Sequence, residues 1–187
     1  MNILTEKLPD SVTVKGIAFP IKTDFRTWIR FSEIMSGVEE RAERLTKAIR
    51  LVYGCLPPSL EETVTGMLDF FAANAERDSS TKKTTSRRVY DFTHDAGLII
   101  SAFRQQYGID LLESNIHWYE FRALLAGLTE DTLFVKVIGY RSINLSDIKD
   151  KDRKDFYRKM KEVYRLPDNR TEEEREADMI AELEGAF

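Results

Sequence analysis

Apolar positions recur at a period of two near the start of the chain and at a helical period over most of the rest. Val12, Val14 and Ile17 alternate with polar neighbours, and Phe19 and Ile21 resume the pattern after Gly16. This predicts a small β-hairpin within residues 3–22, turning at Lys15-Gly16. Pro20 has no amide to give a ladder, so the second strand should be an edge or should end there. A two-stranded ribbon is marginal alone and must lean on another element. Thr23 or Asp24 then caps a helix, TDFRTWIRFSEIM, whose Phe25, Trp28, Ile29, Phe31 and Met35 cover much of its circumference. In VEERAERLTKAIRLVYG, Leu45, Ile49, Val52 and Leu56 share one side of an amphipathic helix. Pro57 and Pro58 break the chain, and Ser59 with Glu62 forms a capping box for a helix with Leu60, Val64, Met67, Leu68 and Phe71 as its buried stripe.

Residues 75–88 lose all apolar period and read as a loop. The densest apolar pattern follows, from Val89 to Phe121. With Asp91 as cap, Phe92, Ala96, Ile99, Phe103 and Tyr107 line one helical face, which Gly108 closes. A short extended step through Ile109, Leu111 and Leu112 leads to a second face of Trp118, Phe121, Leu124, Leu125 and Leu128. Two helices this apolar must bury each other. Thr129 can cap a helix carrying Leu133, Phe134, Val137 and Ile138, and a polar turn spans Tyr140 to Ser146. The helix SDIKDKDRKDFYRKMKEVYRL sets Phe156, Met160, Val163 and Tyr164 on one face, and Pro167 ends it. Thr171 and Glu174 make a second capping box, opening an acidic amphipathic helix with Met179, Ile180 and Leu183. The expected fold is mainly α: a single-domain bundle of six to eight helices with a small N-terminal β-hairpin. Residues 1–170 form the helical domain, with a mobile loop at about 75–88, and 171–187 form an acidic C-terminal helix or tail.

Composition narrows the class. The chain has 187 residues, 42% hydrophobic and 32% charged, which fits one ordinary globular domain with a substantial core. No run of about 18 apolar residues is present, and the N-terminus lacks the regions of a signal peptide, so a cytoplasmic protein is expected, not a membrane one. The lone Cys55 excludes an internal disulfide and reads as a small buried thiol. The net charge of −4 is uneven. Residues 141–170 hold ten Lys or Arg against six Asp or Glu, whereas 171–187 hold seven acids against Arg175.

Candidate chemistry is sparse. His117 and Glu120 would share a helical face, and Asp91, His94 and Asp95 fall within one turn, so a His and carboxylate metal site can be drawn. No HExxH and no cysteine ligands support it, and helix capping explains the acids more simply. Cys55 has no histidine near it in sequence, and no serine elbow, phosphate loop or dinucleotide fingerprint is present. Neither a cofactor nor catalysis is expected. Lys82, Lys83, Arg87 and Arg88, and the basic run at 149–165, lack aromatic interleaving. With a pI of about 5.4 they describe a solvated face, not a nucleic-acid surface. The acidic tail suits either docking on the basic residues 149–165 of the same chain or holding another protein.

The blocks TDFRTWIRFSEIM, YDFTHDAGLIISAFRQQYGIDL, HWYEFRALLAGLTEDTLFVKVIGYRSINL and DIKDKDRKDFYRKMKEVYRLP occur in an order that resembles the bacteriophage tail protein family named after gene product fifteen. The resemblance runs from about Leu8 to Pro167. Tyr119 departs from it, standing where a second tryptophan is expected. What the resemblance implies is a tail assembly chaperone in the cytoplasm of a bacterial host. Such a protein binds the phage tape-measure protein, keeps it soluble until tail-tube protein polymerises around it, and can form a homo-oligomer. The alternative is a structural tail or connector component of the virion. No catalytic residue is carried over. Tyr119, Arg141, Met179, Ile180 and Leu183 are the candidate partner-binding residues.

Overall fold

The computed structural model describes residues 4–72 and 89–167. Among them are one antiparallel hairpin and seven α-helices, a mainly α fold as the periodicity predicts. Strand β1 (Ser11–Val14) pairs with β2 (Ile17–Pro20), Val14 opposite Ile17 and Ser11 opposite Pro20, so the ladder ends at the proline. The turn is Lys15-Gly16 with φ of 52° and 76°, the left-handed pair that matches strand twist in a two-residue hairpin. Lys15 bears the steric cost of that conformation, and Glu62 offsets it by accepting from the Lys15 amide at 2.6 Å and pairing with its Nζ at 3.0 Å. The Ser59 hydroxyl accepts from the Glu62 amide at 3.4 Å, while the Glu62 carboxylate is directed to the hairpin turn.

Helix α1 (Phe25–Met35) starts at Asp24, whose carboxylate accepts from the Arg26 amide at 2.9 Å. Helix α2 (Arg41–Tyr53) closes at Gly54 with φ of 72°. That left-handed cap turns the chain off the helix axis and leaves Leu56 76% exposed instead of on the buried face. Helix α3 (Leu60–Phe71) buries Thr63, Met67 and Phe70, not the stripe of Leu60, Val64 and Leu68. The reason is long-range. Gly66 lets β1 approach so closely that Val12 Cγ1 occupies the space where a Cβ would stand, and this turns the Thr63–Gly66–Phe70 side inward.

Helix α4 (Ala96–Tyr107) begins four residues later than an Asp91 cap would place it. The Asp91 carboxylate instead accepts from the Thr93 and His94 amides, at 2.8 and 2.6 Å, and shapes a turn. Phe92 therefore lies off the helix, although its ring still meets Trp118 and Phe121 at 6.2 and 6.1 Å. Residues 110–114 are a turn closed by the Ser114 amide on the Asp110 carbonyl, not an extended step, with Leu111 buried and Leu112 exposed. Helix α5 (Trp118–Ala126) and helix α6 (Leu133–Ser142) follow. The Thr132 hydroxyl accepts from the Val135 amide at the start of α6, while the Thr129 amide is taken by Gln106 Oε1. Helix α7 (Lys151–Val163) starts at Asp150, after a short 3-10 turn at Leu145–Asp147.

The chain divides into two compact units, Met1–Gly139 and Tyr140–Phe187. Aromatic residues dominate the core of the first. Phe25 stacks on Phe121 at 4.6 Å, Trp28 on Phe70 at 4.6 Å, Phe71 on Trp118 at 5.3 Å and Phe103 on Phe121 at 5.3 Å. Trp28 and Trp118 are fully buried, and their indole N–H groups donate to the Lys22 and Phe71 carbonyls, both at 2.9 Å. This satisfies the polar edge that burial would otherwise leave costly. In the second unit, Tyr140 packs against Phe156 at 6.1 Å and Tyr164 at 5.9 Å. No residue of α7 is buried, so its apolar face is only partly covered: Phe156 is 48% and Val163 62% exposed.

Candidate functional site

The two residues that start α1 and α5, Asp24 and His117, face each other across an isolated antiparallel bridge. The Phe25 amide donates to the Ile116 carbonyl at 3.0 Å and the Trp118 amide to the Thr23 carbonyl at 2.8 Å. Both helices thus begin from one shared pair of backbone bonds, each with an aromatic residue at its first position. His117 Nδ1 accepts from the Tyr119 amide at 3.1 Å, which requires an unprotonated Nδ1. Nε2 then carries the proton and donates to the Pro9 carbonyl at 3.0 Å. Both ring nitrogens are engaged with backbone, so His117 offers no lone pair to a metal. His94 is exposed while Asp95 is buried and accepts from the Asp91 amide. Among the described residues, no three His, Cys, Asp or Glu side chains gather where they could hold a metal ion.

Arg26, the second residue of α1, ties the turn before α5 to this junction. Its guanidinium donates to the Ser114, Leu111 and Leu112 carbonyls at 2.9, 2.6 and 3.1 Å and lies over the Phe25 ring. These contacts hold the Trp118–Phe121 face against α1.

A groove of about 650 Å³ lies in the first unit between β1, α3 and the start of α5. Ser11 and Thr13 line the strand side, Glu61, Thr65 and Asp69 the helix side, and Tyr119 and Phe70 its inner end. Tyr119 is 5% exposed, and burial, with the Asp69 charge beside it, raises its hydroxyl pKa. Hydroxyls and carboxylates predominate among the polar groups of the lining, which suits contact with polar or cationic groups. Nothing in the hydrophobic pattern pointed to this groove. A glycine within a helical stripe, Gly66, was the available signal, because such a glycine usually marks a close backbone approach.

The candidate partner-binding residues are dispersed. Tyr119 lies at the inner end of the groove. Arg141 is in the second unit, where its Nε donates to the Tyr164 carbonyl at 2.6 Å and its own carbonyl accepts from Lys161 Nζ at 2.9 Å, fastening the end of α6 to α7. Met179, Ile180 and Leu183 lie outside the described residues. Cys55 is exposed, contrary to the expected buried thiol, because it follows the Gly54 cap and points away with the departing chain. No described helix is long and apolar enough to cross a membrane.

A family model described as bacteriophage Gp15 protein matches residues 4–166. No curated protein matches the chain. Neither does any solved structure.

Proposed function

The chain belongs to the bacteriophage Gp15 protein family, and on that premise we propose that it is a non-enzymatic tail assembly chaperone. Its client is the long helical tape-measure protein, held soluble until tail-tube subunits polymerise around it. The observation that carries this reading is the family match over nearly the whole described chain. The local chemistry is consistent with it. The acid- and hydroxyl-lined groove at β1 and α3 supplies a concave surface for polar contacts with a client. Exposed apolar side chains such as Leu60 and Leu68 on α3 supply surface that an amphipathic client helix can cover.

Co-expression tests the proposal directly. The tape-measure protein of the same phage is produced with and without this chain, and the soluble fraction is compared after centrifugation. A markedly larger soluble fraction with the chain, and co-elution of the two on size exclusion, is the expected result. Equal solubility in both samples would overturn it.

A further inference from the structure

The hairpin has two outer edges, and the edge of β1 lies along the groove. In a two-residue hairpin the closing pair, Val14 and Ile17, exchanges backbone bonds, and bonded pairs then alternate along the ladder. The Ile21 amide on the Asp10 carbonyl at 3.0 Å fixes the same alternation from the other end. Val12 and Val14 therefore turn their amides and carbonyls to β2, while Ser11 and Thr13 turn theirs outward. The next residues on that outer edge, Pro9 and Lys15, are engaged. His117 Nε2 donates to the Pro9 carbonyl at 3.0 Å, and the Glu62 carboxylate accepts from the Lys15 amide at 2.6 Å. Between these two ends the outward backbone groups of Ser11 and Thr13 have no partner among the described residues. An open strand edge of this kind is a template for a further strand. The outer edge of β2 is blunted by Pro20, which has no amide to offer.

The opposite wall is acidic. Glu61, Thr65 and Asp69 recur at steps of four along α3, and the charged residues lining the groove are Glu61, Glu62 and Asp69. Glu62 is paired with Lys15 at the turn, so Glu61 and Asp69 set the local charge. At the inner end Tyr119 is 5% exposed, and its hydroxyl has no hydrogen-bond partner among the described residues. A phenol oxygen beside a carboxylate can accept from an ammonium or guanidinium N–H. We propose that the groove takes an extended, basic segment of a partner protein, which pairs as a third strand with Ser11 and Thr13 and sets a Lys or Arg side chain against Asp69 and Tyr119. Backbone pairing supplies the attachment, and alternate side chains reaching the α3 wall supply the selectivity. The segment is extended because the open groups belong to alternate residues of a strand, and basic because the wall is acidic. The proposal gives a partner chemistry to the groove that the chaperone reading offers to a client. Its test uses synthetic peptides, so either can fail without the other.

The full-length, nitrogen-15-labelled chain is titrated with the peptide acetyl-Val-Lys-Val-Lys-Val-amide and followed by amide NMR. The expected result is saturable shifts and slowed amide exchange at Ser11 and Thr13. The same peptide with its inner amides methylated, and one with Glu in place of Lys, should each bind at least about tenfold more weakly. Asp69→Asn combined with Tyr119→Phe should weaken the Lys peptide and leave the Glu peptide no weaker, whereas Glu130→Gln, a remote loss of charge, should change neither. Thr13→Pro removes an outward amide that the ladder does not use and should also weaken binding, while Ala18→Pro, its counterpart on β2, should not. The peptide variants decide the matter even where a proline prevents folding. Absence of shifts at Ser11 and Thr13, equal affinity for the methylated peptide, or equal affinity for the Lys and Glu peptides would overturn the proposal. So would shifts there that depend on protein concentration alone, which would give the edge to a second copy.

Discussion

Trp118 and His117 are adjacent in the chain and contribute by different means. Trp118 is fully buried, stacks on Phe71 and donates its indole N–H to the Phe71 carbonyl. Truncation to Ala leaves a large cavity and an unpaired carbonyl, so Trp118→Ala should cost about 3 to 5 kcal/mol in a urea titration. His117 acts through its two ring nitrogens, one capping α5 and one holding Pro9. His117→Ala should cost about 1 to 2 kcal/mol, and His117→Asn, which keeps a capping oxygen, should recover part of it. A metal role would instead show as a change in melting temperature on adding zinc or a chelator, and none is expected. Tyr53 provides a pH dependence. Burial, helped by the Cys55 charge, raises its hydroxyl pKa from 10.0 to about 12. Because the folded state holds this proton more tightly than the unfolded chain, the contribution is fully present below pH 10 and is lost as pH rises towards 12. Stability measured from pH 9 to 12 should fall more steeply in the wild type than in Tyr53→Phe, and parallel curves would show that Tyr53 is not the cause.

At the scale of elements, the contact between β1 and α3 sets two opposing effects against each other. Glycine inside a helix costs about 0.5 to 1 kcal/mol relative to alanine, so Gly66→Ala would stabilise an isolated α3. Here the added Cβ meets Val12 Cγ1 far inside contact distance, and a valine has no flexible end to move aside. Overpacking of that kind costs about 1 to 3 kcal/mol and should win. Gly66→Ala is therefore expected to lower the melting temperature, and adding Val12→Ala should reverse the sign of the effect of the substitution at 66. This contact also shows where sequence reading stops. Period and punctuation were enough for the hairpin, its turn at Lys15-Gly16, its end at Pro20 and the Ser59 cap, because each depends on residues within a few positions. Which face of α3 turns inward depends on Val12, more than fifty positions away, and no local period encodes that. The late start of α4 has a local cause: Asp91 caps a turn instead of a helix. The exposure of Leu56 was foreshadowed by Gly54, whose left-handed cap takes the chain out of the helical register.

At the scale of the whole molecule, the family was legible in the aromatic blocks and the groove was not. The strings around Phe25, Trp28, Trp118 and Phe121 mark the family because they make the core, and side chains devoted to a core say little about a partner. The groove arises from β1, α3 and Tyr119, which are remote in sequence, so only the folded chain displays it. The nature of the remaining surface bears on whether the protein leaves or stays in the particle. Large exposed apolar residues are spread along the described chain, from Leu4 and Val38 through Leu60 and Leu68 on α3 to Phe156 and Val163 on α7. A permanent subunit typically buries about 2,000 Å² or more in an interface with a strongly apolar centre, whereas a partner that binds and releases uses a smaller and more polar one. A chaperone must also yield its client to the tail tube, which requires an interaction that tube assembly can displace. Mass spectrometry of infected-cell lysates and of purified particles should accordingly find this protein in the lysate and not in the particles. Recovery at a fixed copy number per virion would mean that it stays bound and is a structural tail or connector component, and solubilisation of the tape measure would then be a consequence of that permanent contact.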